Sequence, residues 1–128
     1  MKKNIKILLI IFSGLLMVTG CFKTDTMENI DIAVTKYPIE YAINVLYGDY
    51  STITPIYPNG IDTNNYEVTD KKIKNSAKND MFIYNGLSET DTAIKILNNN
   101  SKIKLIDVSK GLEINNNEEE LWLNPSNY

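Results

Sequence analysis

Cys21 is the one thiol in this 128-residue chain, and it stands directly after Val18-Thr19-Gly20. Upstream lie Lys2, Lys3 and Lys6 and then an apolar run from Ile7 to Val18. A basic start, an apolar middle and small residues before the cut have the form of a bacterial export signal. A lone cysteine at the cut looks like a lipidation site. The chemistry expected there is thioether formation between the Cys21 sulfur and a diacylglycerol, with residues 1–20 removed. A transmembrane anchor is the competing reading, but the run is shorter than the ~20 apolar residues a bilayer core requires. A disulfide would need a second cysteine, and the chain has none. One acyl chain holds a protein only marginally, whereas two hold it stably. The mature chain is therefore expected at the extracytoplasmic face of the cell membrane.

The other chemistry-bearing residues are oxygen donors. The chain contains no His and no Arg, which removes the commonest general base and the commonest metal ligand. Thiol catalysis, imidazole catalysis and a Cys/His zinc site are thereby excluded. Carboxylates such as Asp62 and Glu67 are capable of acid–base work in principle. No nucleophile–base pair and no phosphate-cradling glycine loop accompanies them, so an enzyme is not expected. Once Lys2, Lys3 and Lys6 leave with residues 1–20, ten lysines face 16 carboxylates. An acidic chain without Arg is a poor partner for nucleic acid.

The elements that must position these groups alternate along the chain. Residues 21–30 read as a polar tether, and 31–128 as one modest domain. Asp31 to Thr35 suits a buried strand. Pro38 then opens a helix with Ile39, Ala42, Ile43 and Leu46 on one face, and Gly48 stands where a left-handed cap would close it. Ser51 to Tyr57 is strand-like but interrupted by Pro55, which suits an edge. The turn residues of 58–65 form a loop. A polar helix is expected over about 69–79 with Ile73, Ser76 and Ala77 facing in, followed by a strand at Met81–Tyr84. Ser88 and Asp91 resemble a capping box opening a helix whose inner face is Ala93, Ile94 and Leu97. Lys102 to Val108 gives a fourth strand, with Ile103, Leu105 and a partly buried Asp107 alternating with polar neighbours. Strands alternating with helices of about ten residues predict an α/β, three-layer sandwich with a mainly parallel four-stranded sheet.

Five segments, in order, resemble motifs of the substrate-binding lipoproteins of zinc and manganese ABC transporters, the metal-binding adhesin lipoprotein family. Thr35-Lys36-Tyr37-Pro38-Ile39 resembles that family's first strand-to-helix junction. Gly60-Ile61-Asp62-Thr63-Asn64-Asn65-Tyr66-Glu67-Val68-Thr69 is similar to its Gly-Val-Asp-Pro-His-x-Tyr-Glu-Pro-Thr loop. Asn79 to Leu87 looks like its Ala-Asp-x-x-x-Tyr-Asn-Gly strand, and Ile106-Asp107-Val108-Ser109-Lys110-Gly111 follows in turn. Leu121-Trp122-Leu123-Asn124-Pro125 resembles its His-x-Trp-Leu-Asp/Asn-Pro motif.

The resemblance implies the N-terminal lobe of a two-lobed, periplasmic-binding-protein-like receptor, read here as ending before the joining helix. It implies capture of a divalent metal ion between lobes, zinc or manganese in the family, and delivery to an ABC permease and ATPase. Two ligand positions depart from the family: its first His falls on Asn64 and its second on Glu120. Both residues are candidate metal ligands through oxygen, and oxygen-only sets favour Mn²⁺, Ca²⁺ or Mg²⁺ over zinc. Each also has an ordinary structural reading. Glu118-Glu119-Glu120 suits a solvated acidic loop, and Asn64 a turn. Tyr66 and Tyr84 either close over a ligand or pack beneath the loop, Tyr37 is placed to line the cleft, and Trp122 is placed to anchor a lobe core or interface. The alternative function is a truncated surface lipoprotein acting in protein interaction with no transport role.

Overall fold

The computed structural model describes residues 27–62, 65–112, 114 and 121–123. Strand β1 (Asp31–Val34) leads into helix α1 (Tyr37–Tyr47), and β2 (Thr52–Pro55) into α2 (Asp70–Ser76). Strand β3 (Met81–Tyr84) is followed by α3 (Thr90–Asn99), then by β4 (Lys104–Asp107) and a 3-10 turn at Leu121–Leu123. The four strands form one sheet in the order β2-β1-β3-β4, and every pairing is parallel. This is the α/β sheet that the alternating pattern predicts.

The central strands are apolar at nearly every position because both faces are covered. Ile32, Ala33, Val34 and Phe82 are all fully buried. Alternation along the pleat sends Ala33 and Phe82 to one face, where Ile73 and Ala77 of the α2 region and Ala93 and Ile96 of α3 pack on them. Ile32, Val34, Met81 and Ile83 go to the other face and meet Ile39 and Ile43 of α1. The layers are therefore α1, sheet, and α2 with α3. Pro55 lies opposite Val34 on the outer strand β2, where its missing N–H costs no ladder bond.

Three local expectations are corrected. Leu46 is 64% exposed and Ala42 also faces solvent, so the buried face of α1 is Ile39 and Ile43 alone. Only the narrow stripe of Ile39 and Ile43 meets the core on this face, and residues on its flanks, Ala42 and Leu46 among them, meet solvent. Gly48 is right-handed (φ −58°) and ends α1 by donating its N–H to the Asn44 carbonyl at 2.9 Å, without a left-handed cap. Helix α3 begins at Thr90, not at a Ser88 cap, and buries Ala93 and Ile96 while Ile94 and Leu97 are largely exposed. The reason is Glu89. Its side chain is 2% exposed and stands in phase with Ala93, Ile96 and Asn100, so a charged residue heads the inward stripe.

Residues 27–30, the end of the expected tether, are fastened to the fold. The Asn29 N–H donates to the Tyr50 carbonyl at 2.7 Å, the Ser51 hydroxyl donates to the Met27 carbonyl, and Met27 and Ile30 pack on the α1-side core. Among the described residues no helix is long and apolar enough to cross a membrane.

Candidate functional site

In an open parallel sheet, ligands bind outside the carboxyl ends of the strands, at the point where successive connections part to opposite faces. Here that point lies between β1 and β3, since α1 leaves on one face and α3 on the other. The residues that follow these strands are polar yet buried: Thr35 and Lys36 after β1, Asn85 after β3, Glu89 at the start of α3. Lys36 Nζ lies 3.8 Å from Glu89 Oε1, and the Asn85 N–H donates to Glu89 Oε2 at 2.8 Å. The Thr35 hydroxyl, 1% exposed, has no hydrogen-bond partner among the described residues.

A second cluster closes the β4 side. Asp107 ends β4, and its Oδ1 accepts bonds from the Ser109 N–H at 2.8 Å and the Ser109 hydroxyl at 2.6 Å. Gly86 lies so close to this pair that a Cβ there would overlap the Asp107 carboxylate and the Ser109 hydroxyl. A larger residue at 86 would have to displace both side chains for the β3–α3 turn to approach β4. Tyr84 faces Asp107 in register, and its ring stacks on Phe82 with centroids 5.6 Å apart. Burial first, and the Asp107 charge second, push the Tyr84 phenol above its ordinary value of 10.

The β2–α2 loop is pinned from both ends. Asn65 donates through its N–H to the Asp62 carbonyl at 3.2 Å, and its side-chain amide donates to Asp62 Oδ2. Ile61, Tyr66 and Val68 pack against the core, with Tyr66 edge-on to Tyr57 at 5.8 Å. Lys72 donates through Nζ to the Ile56 carbonyl at 2.9 Å and stands 5.2 Å from the Tyr66 ring centroid. One lysine therefore holds the residues that precede and follow the loop.

The residues singled out from sequence fall into three groups. Cys21, Asn64, Glu118, Glu119, Glu120 and the Trp122 side chain lie outside the described residues. Asp62, Tyr66 and Tyr84 are described and are engaged in holding the loop and packing the core. Glu67 is solvent-exposed, and Tyr37 is 66% exposed beside an apolar groove of about 700 Å³ that also touches Ile39, Tyr41, Ile83, Val108 and Leu121. Among the described residues no three His, Cys, Asp or Glu side chains gather as a metal site. Sequence reasoning missed Lys36, Asn85 and Glu89. The available signal was the spacing of Glu89 to Ala93 and Ile96, four and seven residues on.

The profile of the family described as zinc-uptake complex component A, periplasmic, matches residues 32–128. No curated protein matches the chain. Among solved structures, a zinc-bound deletion mutant of ZnuA is 22% identical with a TM-score of 0.66, covering 78% of this chain and 42% of its own. The metal-dependent lipoprotein YcdH of Bacillus subtilis is 21% identical with a TM-score of 0.69, covering 77% and 39%. The protein FpvC of Pseudomonas aeruginosa, in complex with Mn²⁺, is 24% identical with a TM-score of 0.57, covering 70% and 34%. The chain spans less than half the length of each, and the likeness carries the fold of that part.

Proposed function

The chain belongs to the family of periplasmic zinc-uptake complex component A proteins, and from that premise we propose that it is a solute-binding component of an ABC importer that captures a divalent metal ion. In this reading the ion lodges between this lobe and a second one, and the loaded receptor delivers it to a permease driven by an ATPase. A diacylglycerol on Cys21 holds the protein at the extracytoplasmic face of the membrane. The observation that carries the reading is the family match along nearly the whole domain, supported by the buried polar floor of Thr35, Lys36 and Asn85 at the point where α/β sheets take ligands. No chemical step is required of the protein.

The donor set narrows the cargo. Zinc in closed sites prefers imidazole and thiolate, and this chain supplies neither from residues 22–128. Asn64 and Glu120 would offer an amide and a carboxylate oxygen from this lobe, which favours Mn²⁺ over zinc. The test is thermal unfolding of the complete gene product with Mn²⁺ and, separately, Zn²⁺. Stabilisation that grows with the logarithm of Mn²⁺ concentration is expected. No shift with either ion would sink the metal reading. Lipidation is tested by mass spectrometry of the mature N-terminus, where Cys21→Ala should abolish the diacylglyceryl adduct.

A second reading, a surface lipoprotein acting in protein interaction, draws on one feature. Tyr37, Tyr41 and Val45 form an exposed apolar stripe on α1, next to exposed Leu46. Replacing Tyr41 and Val45 by Lys would leave cation binding intact and remove any such docking.

A further inference from the structure

We propose that the buried Lys36–Glu89 pair is the positioning device of the ligand crevice, setting the β3–α3 turn against the β1–α1 junction. The inference rests on the solute-binding reading above for its functional consequence, but its geometry stands alone. Lys36 and Glu89 side chains are 8% and 2% exposed and 3.8 Å apart. They belong to junctions whose helices lie on opposite faces of the sheet. Glu89 does two things at once. One carboxylate oxygen faces the Lys36 ammonium, and the other accepts the Asn85 N–H at 2.8 Å.

Stability is a weak reason to keep such a pair. Removing two charges from water is costly, and well-packed apolar replacements of buried ion pairs are often neutral or stabilising. What an apolar pair does not reproduce is the bond to Asn85. That bond closes the turn 85–89, and the turn carries Gly86 against the Asp107–Ser109 cluster. The pair thus links three of the four strand ends: β1 through Lys36, β3 through Asn85, and β4 through the seat of Gly86. A ligand meeting this floor finds its geometry already fixed, so less ordering is needed on binding.

Two double variants of the complete gene product separate positioning from bulk stability. Lys36→Met with Glu89→Gln removes both charges but keeps a carbonyl oxygen for the Asn85 N–H. Lys36→Met with Glu89→Leu removes that acceptor as well. The Gln variant should unfold near the wild-type temperature, and the Leu variant below it, because the buried Asn85 N–H loses its acceptor. Hydrogen exchange at the amides of Asn85, Gly86 and Leu87 should quicken in the Gln variant, which has lost the tie to Lys36, and by at least about tenfold more in the Leu variant, which has lost the Asn85 bond as well. Mn²⁺ affinity should follow the same order, with the Leu variant weaker by about tenfold. Wild-type exchange in the Gln variant, or equal exchange in the two variants, would overturn the positioning role whatever the ligand. Equal affinities, with a wild type that binds Mn²⁺, would overturn its link to binding. A wild type that binds no Mn²⁺ would defeat the metal reading instead, and the exchange comparison would still decide the geometry.

Discussion

Tyr84 and Asp107 face each other across the β3–β4 register, and burial first, with the carboxylate second, keeps the phenol protonated beyond its usual range. The relationship has a direction that pH exposes. A phenol whose value is raised in the folded protein contributes stability in full below its unfolded value of 10. That contribution is lost as pH rises through the higher folded value. Alkaline unfolding should therefore set in earlier than neutral denaturation data extrapolate. With Asp107→Asn one of the two causes disappears, the Tyr84 value moves down, and this alkaline loss shrinks. NMR titration of ring-labelled tyrosine reads the shift; an unchanged Tyr84 midpoint in the variant would leave burial as the sole cause.

Lys72 makes a second prediction, about the loop that carries Asn64. Its ammonium bonds the Ile56 carbonyl and sits over the Tyr66 ring, so it ties together the chain before and after that loop. Lys72→Met should cost about 0.5–1 kcal/mol of stability, the range for a partly exposed cation over an aromatic ring. Exchange at Ile61, Asp62 and Asn65 amides should quicken, since Tyr66 loses its lid. Lys72→Arg keeps both contacts within reach and should behave like wild type. If Met and Arg variants exchange alike, the loop is held by Tyr57 and Tyr66 packing alone.

Much of this architecture was legible because the strands are short apolar runs separated by helical periods. Ala33 and Phe82 in one cluster, and Val34 and Ile83 in the other, follow from simple alternation in buried parallel strands. Pro55 marked the edge strand correctly. Phase was harder to read than existence. Helix α1 carries apolar residues nearly all round, so its pattern could not say that Leu46 faces solvent. In α3 the inward stripe begins and ends on polar residues, Glu89 and Asn100, and the apolar pattern alone rotates the helix toward Ile94 and Leu97. The candidate site was half legible for the same reason. Polar residues in loops were visible as candidates, but polar residues buried at strand ends look in sequence like ordinary surface positions.

That rotation of α3 is directly measurable. Ile96 is fully buried beside Phe82 and Ala93, whereas Ile94 is 48% exposed. Ile96→Ala should destabilise by about 2–5 kcal/mol through lost burial and a cavity. Ile94→Ala should stay within about 1 kcal/mol, because much of its side chain is already in water. Urea unfolding of both variants is sufficient, and a larger loss from Ile94 would reinstate the face that apolar spacing suggests.

The sharpest test of the oxygen-donor reading is to restore imidazoles at the two positions where the family motif carries them. Asn64→His with Glu120→His replaces an amide and a carboxylate by two neutral nitrogen donors. Zinc accepts imidazole readily, whereas Mn²⁺ binds carboxylate and carbonyl oxygen by preference. If both positions face the cargo, the double variant should raise zinc affinity relative to Mn²⁺ by at least about tenfold, since ligand type governs the choice between these ions. Zinc binding should also become steeply dependent on pH near 6.5, because each new imidazole must lose its proton before it ligates. Competition titration with both ions across pH 5.5 to 8 reads both effects, the range being set to about one unit or more around the imidazole value. An unchanged preference would place Asn64 and Glu120 away from the metal and favour the reading of Asn64 as an ordinary turn residue.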